Sequence, residues 1–130
     1  MRRGFEAFSR GDLDAGLAEI HPEIEWHLAF RLPDLPPEKT VFLGHDEVRD
    51  LWAAFRGVWD ELTLEGEELL YDSDDVVIER VRFRGRGGAS GIEVDRVIHY
   101  VQEMRDGKLV RIRPFDSAEE AFAAAGVERE

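Results

Sequence analysis

Hydrophobic positions change rhythm twice along this chain. At the start, Phe5, Phe8, Leu13, Leu17 and Ile20 recur at near-helical spacing, with a break at Gly11-Asp12. Glycine ending one helix and aspartate capping the next predict two short amphipathic helices. His21-Pro22 closes the second, because a residue before proline is pushed out of the α region. Ile24 to Phe30 then reads as a short strand, Leu32 to Lys39 with its three prolines as a stiff loop, and Val41 to Leu43 as another short strand. Gly44-His45-Asp46 leads into a helix that carries Val48, Leu51, Trp52, Phe55 and Trp59 on one stripe.

After Asp60 the period becomes two. Leu62 to Leu70, Val76 to Arg84, Glu93 to Met104 and Lys108 to Phe115 read as four strands. The run 71–75, the run Gly85 to Gly91 and the tripeptide Arg105-Asp106-Gly107 join them as turns, and Asp-Gly between alternating strands marks a hairpin. Ser117 followed by Glu120 is a capping box for a last helix bearing Ala118, Ala121 and Phe122.

Helices first and consecutive strands afterwards predict an α+β fold. In it a curved antiparallel or mixed sheet carries the N-terminal and central helices on its concave face. The C-terminal helix is short. Such a cone has a mouth suited to a small molecule. Alternating apolar residues on both faces (Ile92, Val94 and Ile98 against Val97 and Val101) leave one face to cover after the helices dock, which predicts a homodimer.

Composition narrows the partners. The 130 residues suit one domain, 1–130, and 43% hydrophobic residues suffice for a packed core. A net charge of −12 argues against nucleic acid or an anionic membrane as partner. The absence of cysteine removes disulfides, thiolate catalysis and Cys-ligated zinc. With no apolar run near the ~20 residues of a membrane span, and no apolar stretch at the start, the expectation is a cytoplasmic protein.

Four runs in order carry a family resemblance: Arg3-Gly4-Phe5-Glu6-Ala7-Phe8 with Gly11-Asp12-Leu13-Asp14, His21-Pro22-Glu23-Ile24-Glu25-Trp26-His27, Gly44-His45-Asp46-Glu47-Val48, and Arg105 to Val110. They resemble the nuclear-transport-factor-like (ketosteroid isomerase-like) superfamily, most of all its SnoaL-like branch. The resemblance implies a cone-shaped fold, frequent homodimers and an apolar pocket. It also implies either cofactor-independent chemistry of the isomerase, cyclase or lyase type or a non-catalytic binding or dimerisation module. No catalytic set of the superfamily is intact: the donor tyrosine aligns with Gly4, and the aspartates of the cyclases and epoxide hydrolases fall at Pro114 and Arg82.

By the same alignment the base position falls at His27 and the protonated donor at His99. Two imidazoles titrating near neutrality are the candidate acid–base pair. Asp95, Val97 and Val101 share the side of His99 by the two-residue period, and together with Trp26, Trp52 and Phe55 they form the expected lining for a small apolar organic ligand. The competing reading makes both histidines hydrogen-bonded lining residues without chemistry. No cofactor is expected. Nor is a metal, since neither HxH nor HExxH spacing occurs, and His21 and His45 read as turn or cap residues. Arg80, Arg82, Arg84 and Arg86 alternate along one strand as a solvated or subunit-facing strip, with Glu79, Glu93, Asp95 and Glu103 as available partners.

Overall fold

A computed structural model describes residues 7, 11–29, 38–59, 61–87 and 93–128. Asp12 starts helix α1 (Leu13–Ala18) by accepting the Ala15 N–H at 3.1 Å, and Gly11 precedes it at φ 80. The expected helix through Phe5 and Phe8 lies outside the described residues except for Ala7, as do residues 32–37 of the expected proline loop Leu32 to Lys39.

Strand β1 (Ile20–His27) starts four residues before the expected Ile24 and runs through His21-Pro22. Proline is tolerated there because the pairing with the neighbouring strand slips between Ile20 and Glu25, so its missing N–H interrupts no ladder bond. Strand β2 (Val41–Leu43) and helix α2 (Gly44–Val58) follow. Near the start of α2, Glu47 Oε1 accepts the Leu43 N–H at 3.1 Å and Lys39 Nζ at 2.6 Å. These two hydrogen bonds hold the Glu47 carboxyl below its usual range.

Four long strands complete the sheet: β3 (Glu61–Asp72), β4 (Val76–Arg86), β5 (Glu93–Arg105) and β6 (Lys108–Phe115). Asp106 and Gly107, at φ 54 and 75, form the two-residue β5–β6 hairpin that the Asp-Gly pair predicts. Ser117 caps helix α3 (Ala118–Ala125) by accepting the Glu120 N–H at 3.2 Å, and Gly126 ends it at φ 70.

The strand order is β2-β1-β6-β5-β4-β3, with β1 parallel to β6 and the other neighbours antiparallel. The sheet is therefore mixed and curved, with α1 and α2 against its concave face. Ile24 and Trp26 of β1, Val81 and Phe83 of β4, Ile98 and Tyr100 of β5 and Ile112 of β6 meet the α2 stripe of Val48, Leu51, Trp52 and Phe55. On the opposite face α3 sets Ala118, Ala121 and Phe122 on Ile78 and Val101. The chain's own C-terminal helix thus covers part of the surface that sequence alone left open.

The remainder of that outer face is charged. Arg82 pairs with Asp95 at 2.8 Å and Arg86 with Glu93 at 3.0 Å, as the alternating strip predicts, and Arg80 pairs with Glu68 at 2.7 Å. Two of its expected partners differ. Glu103 joins Arg111 and Arg113 instead, at 3.1 and 3.3 Å. Glu79 turns inward, 1% exposed, where its Oε1 accepts Gln102 Nε2–H at 3.5 Å.

Candidate functional site

Alternation along β1 and β5 decides which side chains reach the concave face. Ile24 and Trp26 point toward α2, so Glu25 and His27 point away from it. In β5, Ile98 and Tyr100 pack against α2, while Val101 packs beneath α3. His99 shares the Val101 side.

The two imidazoles therefore stand on the face opposite the aromatic core, with β6 between their strands. His27 Nε2 lies 3.1 Å from Glu25 Oε2. His99 is 8% exposed, and its Nε2 accepts Arg80 Nε–H at 3.4 Å. The expected joint approach to one apolar cavity is corrected by these faces. Asp95, Val97 and Val101 move with His99. Arg82 holds Asp95 bidentately and keeps its carboxyl below the usual range, Val97 is 39% exposed among the paired charges, and Val101 is buried under α3.

Trp26, Trp52 and Phe55 come together on the concave face. Trp26 and Trp52 meet at 6.0 Å between ring centroids, Trp52 and Phe55 at 5.4 Å, and Phe55 and Phe83 at 5.5 Å. With Leu51, Leu64 and Tyr100 they wall an apolar cleft whose remaining volume is about 20 Å³. Side chains nearly fill it.

Ala29, just beyond β1, lines this cleft and also a second, open recess of about 260 Å³. Arg96, Ile98 and Pro114 of the sheet line the recess on one side, and Phe115, Asp116 and Glu120 at the start of α3 on the other. Aromatic interior and open mouth therefore share one wall residue.

Tyr100, which lines the cleft, and Arg96, which lines the recess, are polar groups that the sequence reading did not single out. Burial pushes the Tyr100 hydroxyl above its ordinary value, against the pull of the Arg96 charge, so near neutrality it is a hydrogen-bond donor rather than a base. The signal was one residue away: Tyr100 follows His99 and continues the Ile98 face. His21 and His45, expected as turn or cap residues, lie instead within β1 and the first turn of α2, where each holds one backbone group. His21 Nδ1 accepts the Glu23 N–H at 3.0 Å, and His45 Nε2 lies 2.8 Å from the Ile20 carbonyl. Among the described residues, no three His, Asp or Glu side chains are grouped to hold a metal ion, and no helix is long and apolar enough to cross a membrane.

The family model for the SnoaL-like domain matches residues 1–112. The chain belongs to the SnoaL-like domain family. No curated protein matches it. Solved structures share its fold. TerC, co-crystallised with polyporic acid, is 20% identical at a TM-score of 0.73, over 94% of this chain and 91% of that one. Bal32a, from a soil-derived mobile gene cassette, is 20% identical at 0.74, over 93% and 88%. A protein of ketosteroid isomerase-like fold from Catenulispora acidiphila, in complex with trimethylamine, is 10% identical at 0.73, over 97% and 91%.

Proposed function

We propose that this SnoaL-like domain binds a small, largely apolar organic molecule at the mouth of its cone. In this reading the ligand lies in the recess beside Arg96 and Pro114, and its apolar end meets the aromatic wall at Ala29. One observation carries it: the open recess of about 260 Å³ and the Trp26–Trp52–Phe55 cleft share Ala29 as a wall. The small organic molecules held by two proteins of the same fold, polyporic acid in TerC and trimethylamine in the Catenulispora protein, support it further.

Binding is the stronger reading over acid–base catalysis at His27 and His99, because both imidazoles face away from this wall. The test is a tryptophan-fluorescence titration with naphthamide, a neutral fused-ring probe. Saturable quenching is expected in the wild type and is lost in Ala29→Trp, whose indole fills the shared wall. Equal quenching in that variant places the ligand elsewhere and ends the reading.

We propose also that the outer face pairs two copies of the chain around Val97, where arginine and carboxylate columns stand side by side and the arginines of each copy can face the carboxylates of the other. Light scattering at micromolar concentration tests this, and a monomer mass rejects it.

A further inference from the structure

Within the proposed site, Arg96 combines two surroundings. Its backbone lies on the concave face of β5, directly across from Phe83 of β4 and two residues from Ile98. Phe83 belongs to the aromatic cleft and Ile98 to the recess. The guanidinium reaches outward and is 46% exposed. An apolar ring resting on the cleft's edge therefore brings any polar substituent beside this one side chain. Among the described residues lining the recess, Arg96 is the only basic group.

It pairs with Asp116 at 3.3 Å, in the turn before the Ser117 cap of α3. Asp116 is 84% exposed, so water screens the pair and a ligand can exchange with it. The two recess carboxylates, Asp116 and Glu120, are both exposed and act on a bound ligand through water, where Coulomb forces are weak. A carboxylate laid against the guanidinium fork makes two direct charge-assisted hydrogen bonds with part of its water excluded. The direct contact outweighs the screened repulsion. A cationic ligand is drawn instead to the solvent rim, away from the apolar wall.

We propose that Arg96 is the specificity-determining residue of this site and selects apolar ring molecules bearing an anionic oxygen group. The proposal rests on the binding reading above. It goes further by fixing the charge of the ligand and the residue that reads it. The electrostatic reach of Arg96 to the buried Tyr100 hydroxyl accords with this placement, since it puts the cation and a hydrogen-bond donor along one face of β5.

The experiment compares naphthoate, naphthamide and naphthylmethylamine by calorimetric titration at low and moderate salt. Wild type is expected to bind naphthoate about 10-fold or more tightly than naphthamide, with the advantage shrinking as salt rises. Arg96→Met removes that advantage, so that naphthoate and naphthamide bind alike. Asp116→Asn, which removes one carboxylate charge from the recess, tightens naphthoate binding. Naphthamide binding as well as naphthoate, unchanged in Arg96→Met, overturns the role of Arg96 while leaving the cleft in place. Tightest binding by naphthylmethylamine overturns it in favour of the rim carboxylates. Binding of none of the three overturns both this proposal and the reading beneath it.

Discussion

Trp26 of β1 and Trp52 of α2 meet edge to face, with ring planes at 89° and centroids 6.0 Å apart. This pair joins β1, the strand beside the sheet's β2 edge, to the central helix, and both rings are nearly buried. Edge-to-face geometry sets the positive rim of one ring on the negative face of the other and adds to the area buried. Replacing Trp52 by alanine removes that pair, the contact with Phe55 and a wall of the cleft at once. Trp52→Ala is expected to lower stability by about 3–5 kcal/mol in urea denaturation. A loss below about 1 kcal/mol would mean that the helix does not seat on the sheet through this ring.

How much of this was legible in the sequence can be judged strand by strand. In β1 the alternation of Ile24 and Trp26 with Glu23, Glu25 and His27 is unambiguous, and it sets Trp26 inside and His27 outside. Placing both in one lining conflicts with the two-residue period of the strand itself. Strand β5 is harder, because both of its faces bury apolar residues: Ile98 and Tyr100 beneath α2, Val101 beneath α3. A sheet covered on both sides has no polar stripe to mark the outside, and a shift of one residue exchanges every side chain. His99 and Tyr100 changed roles for that reason. Three turn and cap signals were read correctly because they are local: Asp106-Gly107 at positive φ, Asp12 and Ser117 as N-caps. The early start of β1 was not, since a proline argues against a strand unless the pairing slips at that point.

Gly85 is required by the approach of an aromatic ring, a constraint that no turn signal reveals. A Cβ added there falls 2.9 Å from Trp59 Cε3 and 3.0 Å from Cδ2. The Trp59 ring is held in turn against Phe83, 5.8 Å between centroids, so it cannot swing away as a free side-chain end could. Gly85→Ala is expected to cost about 1–3 kcal/mol through this overlap. Gly107→Ala, with nothing within 4 Å of the added Cβ, is expected to cost about 1 kcal/mol through its φ of 75 alone. The order of the two urea midpoints checks the argument. If Gly107→Ala proves the more damaging, the ring contact is not tight.

Asp95 provides a pH test. Arg82 donates Nε–H and a terminal N–H to its carboxylate, both at 2.8 Å, and lowers its pKa below the ordinary 3.8. A carboxyl with a depressed folded-state pKa contributes stability that is fully present above the unfolded value and is lost as pH falls through the folded one. The contribution is small at neutral pH because the pair is open to water. Asp95→Asn removes it and its titration together. The midpoint difference between wild type and variant is therefore expected to be constant from neutral pH down toward 3.8 and to close at lower pH. A gap that stays constant or widens in acid contradicts the assignment.

His27 and His99 are expected to separate in stability and to agree in binding. His27 holds a half-exposed contact with Glu25, and its truncation removes one solvated interaction, costing less than about 1 kcal/mol. His99 is 8% exposed between the outer face of β5 and its surroundings, and Arg80 donates to its ring. His99→Ala leaves a void and removes the acceptor of that hydrogen bond, a loss of about 1–3 kcal/mol. Protonating the ring removes the same acceptor, so the Arg80 contact exists only while His99 is neutral. Neither side chain faces the aromatic cleft, so naphthamide affinity is expected to stay within about 2-fold of wild type in both variants. Urea denaturation paired with the fluorescence titration checks the two halves on the same samples. A His99→Ala protein of wild-type stability that has lost its ligand would restore the imidazole to the site, and with it the acid–base reading that the strand faces speak against.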